Sequence, residues 1–86
     1  MTLEEKLQTH LIGGRYEGSL LTEKDLTEFI GKKVVFRDDF IQDGVDDDET
    51  EDTYVMCAVY DIEGTNDTIV ICYGNVTEEI GYVNIY

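Results

Sequence analysis

A chain of 86 residues makes one domain with a single modest core, and 42% hydrophobic content with six Tyr and three Phe is enough to build it. A formal net charge of −14 therefore does not by itself imply disorder. The same charge excludes direct docking on nucleic acid or on anionic lipid headgroups without bridging cations, and no apolar run approaches the roughly eighteen residues that a bilayer span needs.

In chain order, Thr2-Leu3-Glu4-Glu5 places a hydroxyl at an N-cap position with Glu three residues on, the capping-box arrangement. Leu3, Leu7 and Leu11 follow at spacings of four, so the pattern predicts a short helix over about residues 3 to 11, stopped by Gly13-Gly14. Arg15 to Leu21 is too short for a further helix before the next cap and reads as an extended segment, at a sheet edge or in the open because Gly18 interrupts it. Thr22 then stands as N-cap to a second helix over about 23 to 30. Leu21 and Leu26 form its hydrophobic staple, and Gly31 with Lys32 and Lys33 closes its negative end. Lys33 to Ile41, Thr53 to Ile62, Thr68 to Tyr73 and Ile80 to Tyr86 are β-branched, aromatic or alternating runs, and each predicts a strand. Turn-rich Glu63 to Asp67 makes the middle pair a hairpin, and Gly74-Asn75 makes the next turn. Helices followed by strands predict an α+β domain over residues 1–86: two short N-terminal helices packed on a four- to five-stranded antiparallel sheet, with an acidic loop at 43–52.

Charge is distributed unevenly along this order. Residues 1–37 hold six acidic and six basic residues, while residues 38–86 hold fourteen acidic and none that are basic. The densest stretch contains Asp46, Asp47, Asp48 and Glu49, and taken alone it reads as a solvated loop. Asp38, Asp39, Asp61, Glu63, Asp67, Glu78 and Glu79 extend the charge into other strands and turns, with no base among residues 38–86. Self-repulsion of this kind does nothing for the fold, so a binding role is the expected use. Side chains on one face of a strand recur about every 6.6–6.8 Å, close to the spacing of phosphates along one nucleic-acid strand. A sheet edged with carboxylates can therefore imitate a DNA backbone, and the partner it suits is a protein with a basic DNA-binding groove.

Catalytic chemistry is scarce, and the chain is not expected to be an enzyme. His10 is the single histidine and reads as a surface residue of the first helix; no Ser/His/Asp or Cys/His set and no phosphate-binding glycine motif can be assembled. The acidic run Asp43 to Asp48 lacks the Gly and Glu positions of a calcium loop, so no metal and no cofactor is expected. Cys57 and Cys72 lie in apolar strands and read as two reduced buried thiols, with a cross-strand disulfide as the alternative. With no basic segment leading into an apolar one at the start, a soluble cytoplasmic protein is expected.

At Glu17-Gly18-Ser19-Leu20-Leu21, followed by Asp25 to Lys33, the chain resembles the phage-encoded uracil-DNA glycosylase inhibitors, a family of small DNA-mimic proteins. The likeness extends to length, acidity and element order. In that family an extended edge segment with a Glu-Ser-Ile-Leu core precedes a short acidic helix; here Gly18 separates Glu17 from Ser19. The resemblance implies that Glu17, with Ser19 and Leu20 beside it, docks into the enzyme's DNA-binding cleft and that Asp25 and Glu28 are the helix carboxylates meeting the enzyme. It also implies that Leu21, Leu26, Phe29 and Ile30, with Met56 and Val35 from the sheet, line an apolar pocket for the Leu that the glycosylase drives into DNA. Plain core packing is the alternative role of those apolar residues.

The function expected is a phage-encoded inhibitor that evades a host enzyme by protein–protein contact, acting in the host cytoplasm as a monomer or weak dimer. Its contact residues would be Glu17, Ser19, Leu20, Asp25, Glu28, Asp46 to Glu49, Asp61 and Glu63. The same charge distribution also suits an anti-CRISPR or anti-restriction protein that occupies the DNA-binding site of a Cas effector or restriction enzyme. A third reading is an acidic interaction or immunity protein pairing through a strand edge, to which Tyr82, Asn84 and Tyr86 would contribute.

Overall fold

A computed structural model describes residues 2–41 and 56–86 of the chain. Helix α1, Leu3–Leu11, begins as its capping box dictates: Thr2 accepts the Glu5 backbone N–H on Oγ1 at 3.2 Å, and the face carrying Leu7 and Leu11 is buried. The following glycines are tied to the sheet, with the Gly13 N–H donating to the Ile80 carbonyl at 3.0 Å and the Ile80 N–H donating to Gly14 at 2.8 Å. Arg15 makes one isolated antiparallel bridge to Glu79.

The predicted extended segment goes no further. Helix α2 runs Ser19–Ile30 with Gly18 as its N-cap, so it starts four residues earlier than Thr22 would set it. Gly18 sits at φ +122°, where glycine turns the chain sharply without a Cβ penalty, and nothing in Ser19-Leu20-Leu21 resists helix. Thr22 is not a cap. Its hydroxyl lies inside the helix and donates to the Gly18 carbonyl at 2.8 Å, the alternative bond open to a mid-helix threonine. The staple is lost with the cap, since Leu21 is 56% exposed while Leu26 is fully buried. Gly31 ends α2 in the left-handed region at φ +81°, and Thr27 Oγ1 accepts the Val34 N–H at 3.0 Å, joining the helix to the first strand.

The strands are β1 Val34–Ile41, β2 Met56–Ile62, β3 Thr68–Tyr73 and β4 Ile80–Ile85. Among the described residues they form one antiparallel sheet in the order β1-β2-β3-β4, so the architecture is α+β with both helices N-terminal to a four-stranded sheet. The acidic loop and the predicted start of β2 at residues 53–55 lie outside the described residues.

Alternation divides the sheet into two faces. Ala58, Tyr60 and Ile62 of β2, Ile69, Ile71 and Tyr73 of β3 and Val83 of β4 pack against Leu7, Leu11 and Leu26 from the helices. α1 lies on β4 and α2 on β1. α1 also covers the edge of β4: Gln8 Nε2 donates to the Val83 carbonyl at 2.9 Å, and Glu4 accepts the Ile85 N–H at 2.9 Å. The register places Phe40, Cys57, Cys72 and Tyr82 in one row across the sheet on the face opposite the core.

Candidate protein-binding surface

The N-terminal end of α2 gathers several of the residues singled out by sequence, because the turn at Gly18 reverses the chain between the β4 bridge and the helix. Glu17 precedes that turn and borders two hollows. One, of about 220 Å³, lies between the helices and also meets Leu21 and Asp25. The other, of about 440 Å³, also meets Tyr16, Met56, Tyr73 and Glu78. Ser19 opens α2, and Leu20 after it is 80% exposed. Leu20 and Glu28 border a shallow groove of about 630 Å³ between α2 and β1, together with Glu23 and Lys33. Phe29 faces a fourth hollow and stacks on His10, with ring centroids 4.2 Å apart.

The apolar set implied by the resemblance is thus divided. Leu26 is fully buried in the core, where α2 packs on the sheet, and has no surface to offer a partner. Ile30 and Met56 are partly buried against that core, while Leu21, Phe29 and Met56 border three different hollows. Val35 is 40% exposed on the face opposite the core, paired with Asp61. The resemblance groups these residues, but a helix packed on a sheet turns one part of its apolar face inward and leaves the rest outside.

The acidic residues are also rearranged by folding. Residues 38–86 contain no base of their own, yet folding brings bases from the first half to three of their carboxylates. Arg37, at the β1 bulge, holds Asp61 through two bonds, Nε to Oδ2 at 2.8 Å and a second from Nη2 to Oδ1. Lys33 lies 4.0 Å from Glu63 and Arg15 lies 4.0 Å from Glu78. The two longer pairs are exposed and contribute about 0–1 kcal/mol each, whereas the forked Arg37–Asp61 pair fixes the carboxylate in place. Asp25 is 2.9 Å from His10 Nε2, a contact that ties α2 to α1. Asp61 and Glu63 therefore sit away from the Glu17 region, at the opposite end of β2 from Met56. Asp46, Asp47, Asp48 and Glu49 lie outside the described residues.

A group not singled out by sequence stands beside Glu17. Tyr16 and Tyr60 share a buried hydrogen bond of 2.8 Å between hydroxyls, and Tyr16 stacks on Tyr73 at 4.2 Å. Burial raises all three phenols above their ordinary value. It pushes Tyr73 up to about 12, with Tyr16 and the fields of Asp39 and Glu78 adding to the rise. Asp39, Glu78 and Glu17 thus edge one end of the sheet, the end where the chain leaves β1 after Ile41 and re-enters at Met56. Glu78 holds this place at φ +62°, a region that costs a non-glycine residue on the order of 1 kcal/mol, and its carbonyl accepts the Tyr16 N–H at 2.9 Å. The interleaved spacing of Tyr16, Tyr60 and Tyr73 gave no local sign of this cluster, which depends on three elements meeting.

Among the described residues no helix is long and apolar enough to cross a membrane, and no group of three His, Cys, Asp or Glu side chains is placed to hold a metal. Comparisons with protein-family models, with curated proteins and with solved structures find no match to this chain.

Proposed function

We propose that the protein is a non-catalytic inhibitor that imitates DNA and occupies the basic nucleic-acid-binding groove of a host enzyme, with uracil-DNA glycosylase as the first target. The observation that carries this reading is the charge: fourteen carboxylates and no base over residues 38–86, in a chain of net charge −14. Residues 42–55 hold seven of these carboxylates and fall in sequence between Ile41 and Met56, which border the same hollow as Glu17 and Glu78. Such a concentration steers a cationic groove into encounter and rejects nucleic acid itself. Exposed Leu20, with Glu17 and Glu28 near it, supplies an apolar contact of the kind that anchors an interface. The fork of Arg37 on Asp61 competes with a partner for that carboxylate.

The test is association and activity measured in parallel against uracil-DNA glycosylase and a Cas effector over a range of salt. Stoichiometric inhibition of the glycosylase is expected, with an on-rate that falls at least about tenfold between low and high salt. Inhibition of the Cas effector alone would keep the mimicry and replace the target. An on-rate indifferent to salt would remove the mimicry.

A further inference from the structure

Cys57 in β2 and Cys72 in β3 are direct cross-strand partners, and their Sγ atoms lie 3.4 Å apart. We propose that this pair is a disulfide-forming site, closed and opened by exchange with a small-molecule disulfide such as oxidised glutathione. Directly opposed residues of an antiparallel pair have Cα atoms about 4.5–5.5 Å apart, inside the span a disulfide bridges, and their Cβ atoms point to the same face. Only side-chain rotation is needed to bring the two sulfurs from contact to bonding distance. The backbone stays where the flanking pairs Ala58–Ile71 and Met56–Tyr73 already hold it.

Access sets the order of events. The row Phe40-Cys57-Cys72-Tyr82 lies on the face opposite the helices, and Cys72 is the more exposed of the two thiols. Burial and the neighbouring sulfur push the Cys57 thiol up to about 12, which disfavours it as the first nucleophile. The Cys72 thiol loses its proton and its sulfur attacks one sulfur of glutathione disulfide. The S–S bond breaks and one glutathione leaves as thiolate, taking up a proton. Cys57, deprotonated in turn, attacks the Cys72 sulfur of the mixed disulfide and expels the second glutathione. Two protein thiols are oxidised and one glutathione disulfide is reduced to two thiols, so the exchange balances without another oxidant. Reduced glutathione in excess reverses it. The bridge closes the loop that contains the β2–β3 turn and removes freedom from the unfolded chain.

The whole chain is incubated, folded, with oxidised glutathione, and free thiols, mass and thermal midpoint are followed. Both thiols are expected to disappear with a mass loss of two hydrogens and no retained glutathione. Tm is expected to rise by about 10 °C or more and to return when dithiothreitol is added. Cys57→Ser is expected to stop at the mixed disulfide on Cys72; because Cys57 is buried and this variant can fail to fold, Cys72→Ser gives a second check, its remaining thiol reacting far more slowly than either thiol of the wild type. Persistence of both thiols in the folded wild type overturns the proposal. So does a stable glutathione adduct, a disulfide-linked dimer, or a closed bridge that lowers Tm.

Discussion

Gly18 sits at φ +122° with no atom within 4 Å of where a Cβ would stand, so space is free and only the backbone resists a side chain. Gly18→Ala is expected to cost on the order of 1–2 kcal/mol, read as a lower urea midpoint with an unchanged slope. A neutral result would mean that α2 tolerates a different entry. Sequence showed Gly18 as an interruption of a family-like Glu-Ser pair, and the structure makes it the cap that lets the helix begin at Ser19. The change of role follows from φ, which the residue name permits but does not specify. Thr22 teaches the same lesson in reverse: a hydroxyl followed by acids reads as a cap, yet here it bonds back to the Gly18 carbonyl from within the helix.

At the scale of elements, α2 has an inner and an outer apolar side. Leu26 is fully buried beneath the helix and Leu20 is 80% exposed on it. Leu26→Ala is therefore expected to destabilise by about 2–4 kcal/mol, because it leaves a cavity between α2 and the sheet. Leu20→Ala is expected to stay within about 0.5 kcal/mol of wild type and, on the inhibitor reading, to weaken binding to the target. Chemical denaturation of both variants, with affinity measured for the second, separates packing from recognition; a large stability loss at Leu20 would contradict the placement. The strands were the most legible elements, since β-branched and alternating runs bounded by glycine turns leave little choice of structure. The composition of Arg15 to Leu21 predicts an extended segment, but only a single bridge at Arg15 forms, because Gly13 and Gly14 are already bonded to Ile80 and the chain turns away at Gly18.

Over the whole molecule, charge and burial act in the same direction at the acidic end of the sheet, both disfavouring the ionised phenols. The phenols of Tyr16, Tyr60 and Tyr73 are raised above 10.0 and the Cys57 thiol above 9.0, chiefly by burial. For each group the folded protein holds a proton that the unfolded chain releases first, so its stabilising contribution is complete below the unfolded value and is lost as pH rises through the folded one. Stability is expected to fall steadily from about pH 9 to about pH 12, with Tyr73 alone accounting for on the order of 3 kcal/mol. The urea midpoint as a function of pH, followed with tyrosinate absorbance, checks this. A flat midpoint over that range would mean that the tyrosine cluster opens to water.

Composition and periodicity determined an acidic α+β fold, with helices first and an antiparallel sheet after, because those properties depend on neighbours a few residues apart. The excess of carboxylates from Asp38 onward was equally plain. Tertiary structure alone decided which carboxylates meet a base, since Arg37–Asp61, Lys33–Glu63 and Arg15–Glu78 are separated along the chain and joined only by antiparallel register and by the Arg15–Glu79 bridge. It also decided that Tyr16 would share its hydroxyl with Tyr60 and that Cys57 would face Cys72. Pairings between distant segments are set by register and by which face is buried, and a one-residue slip in either would have changed every one of them.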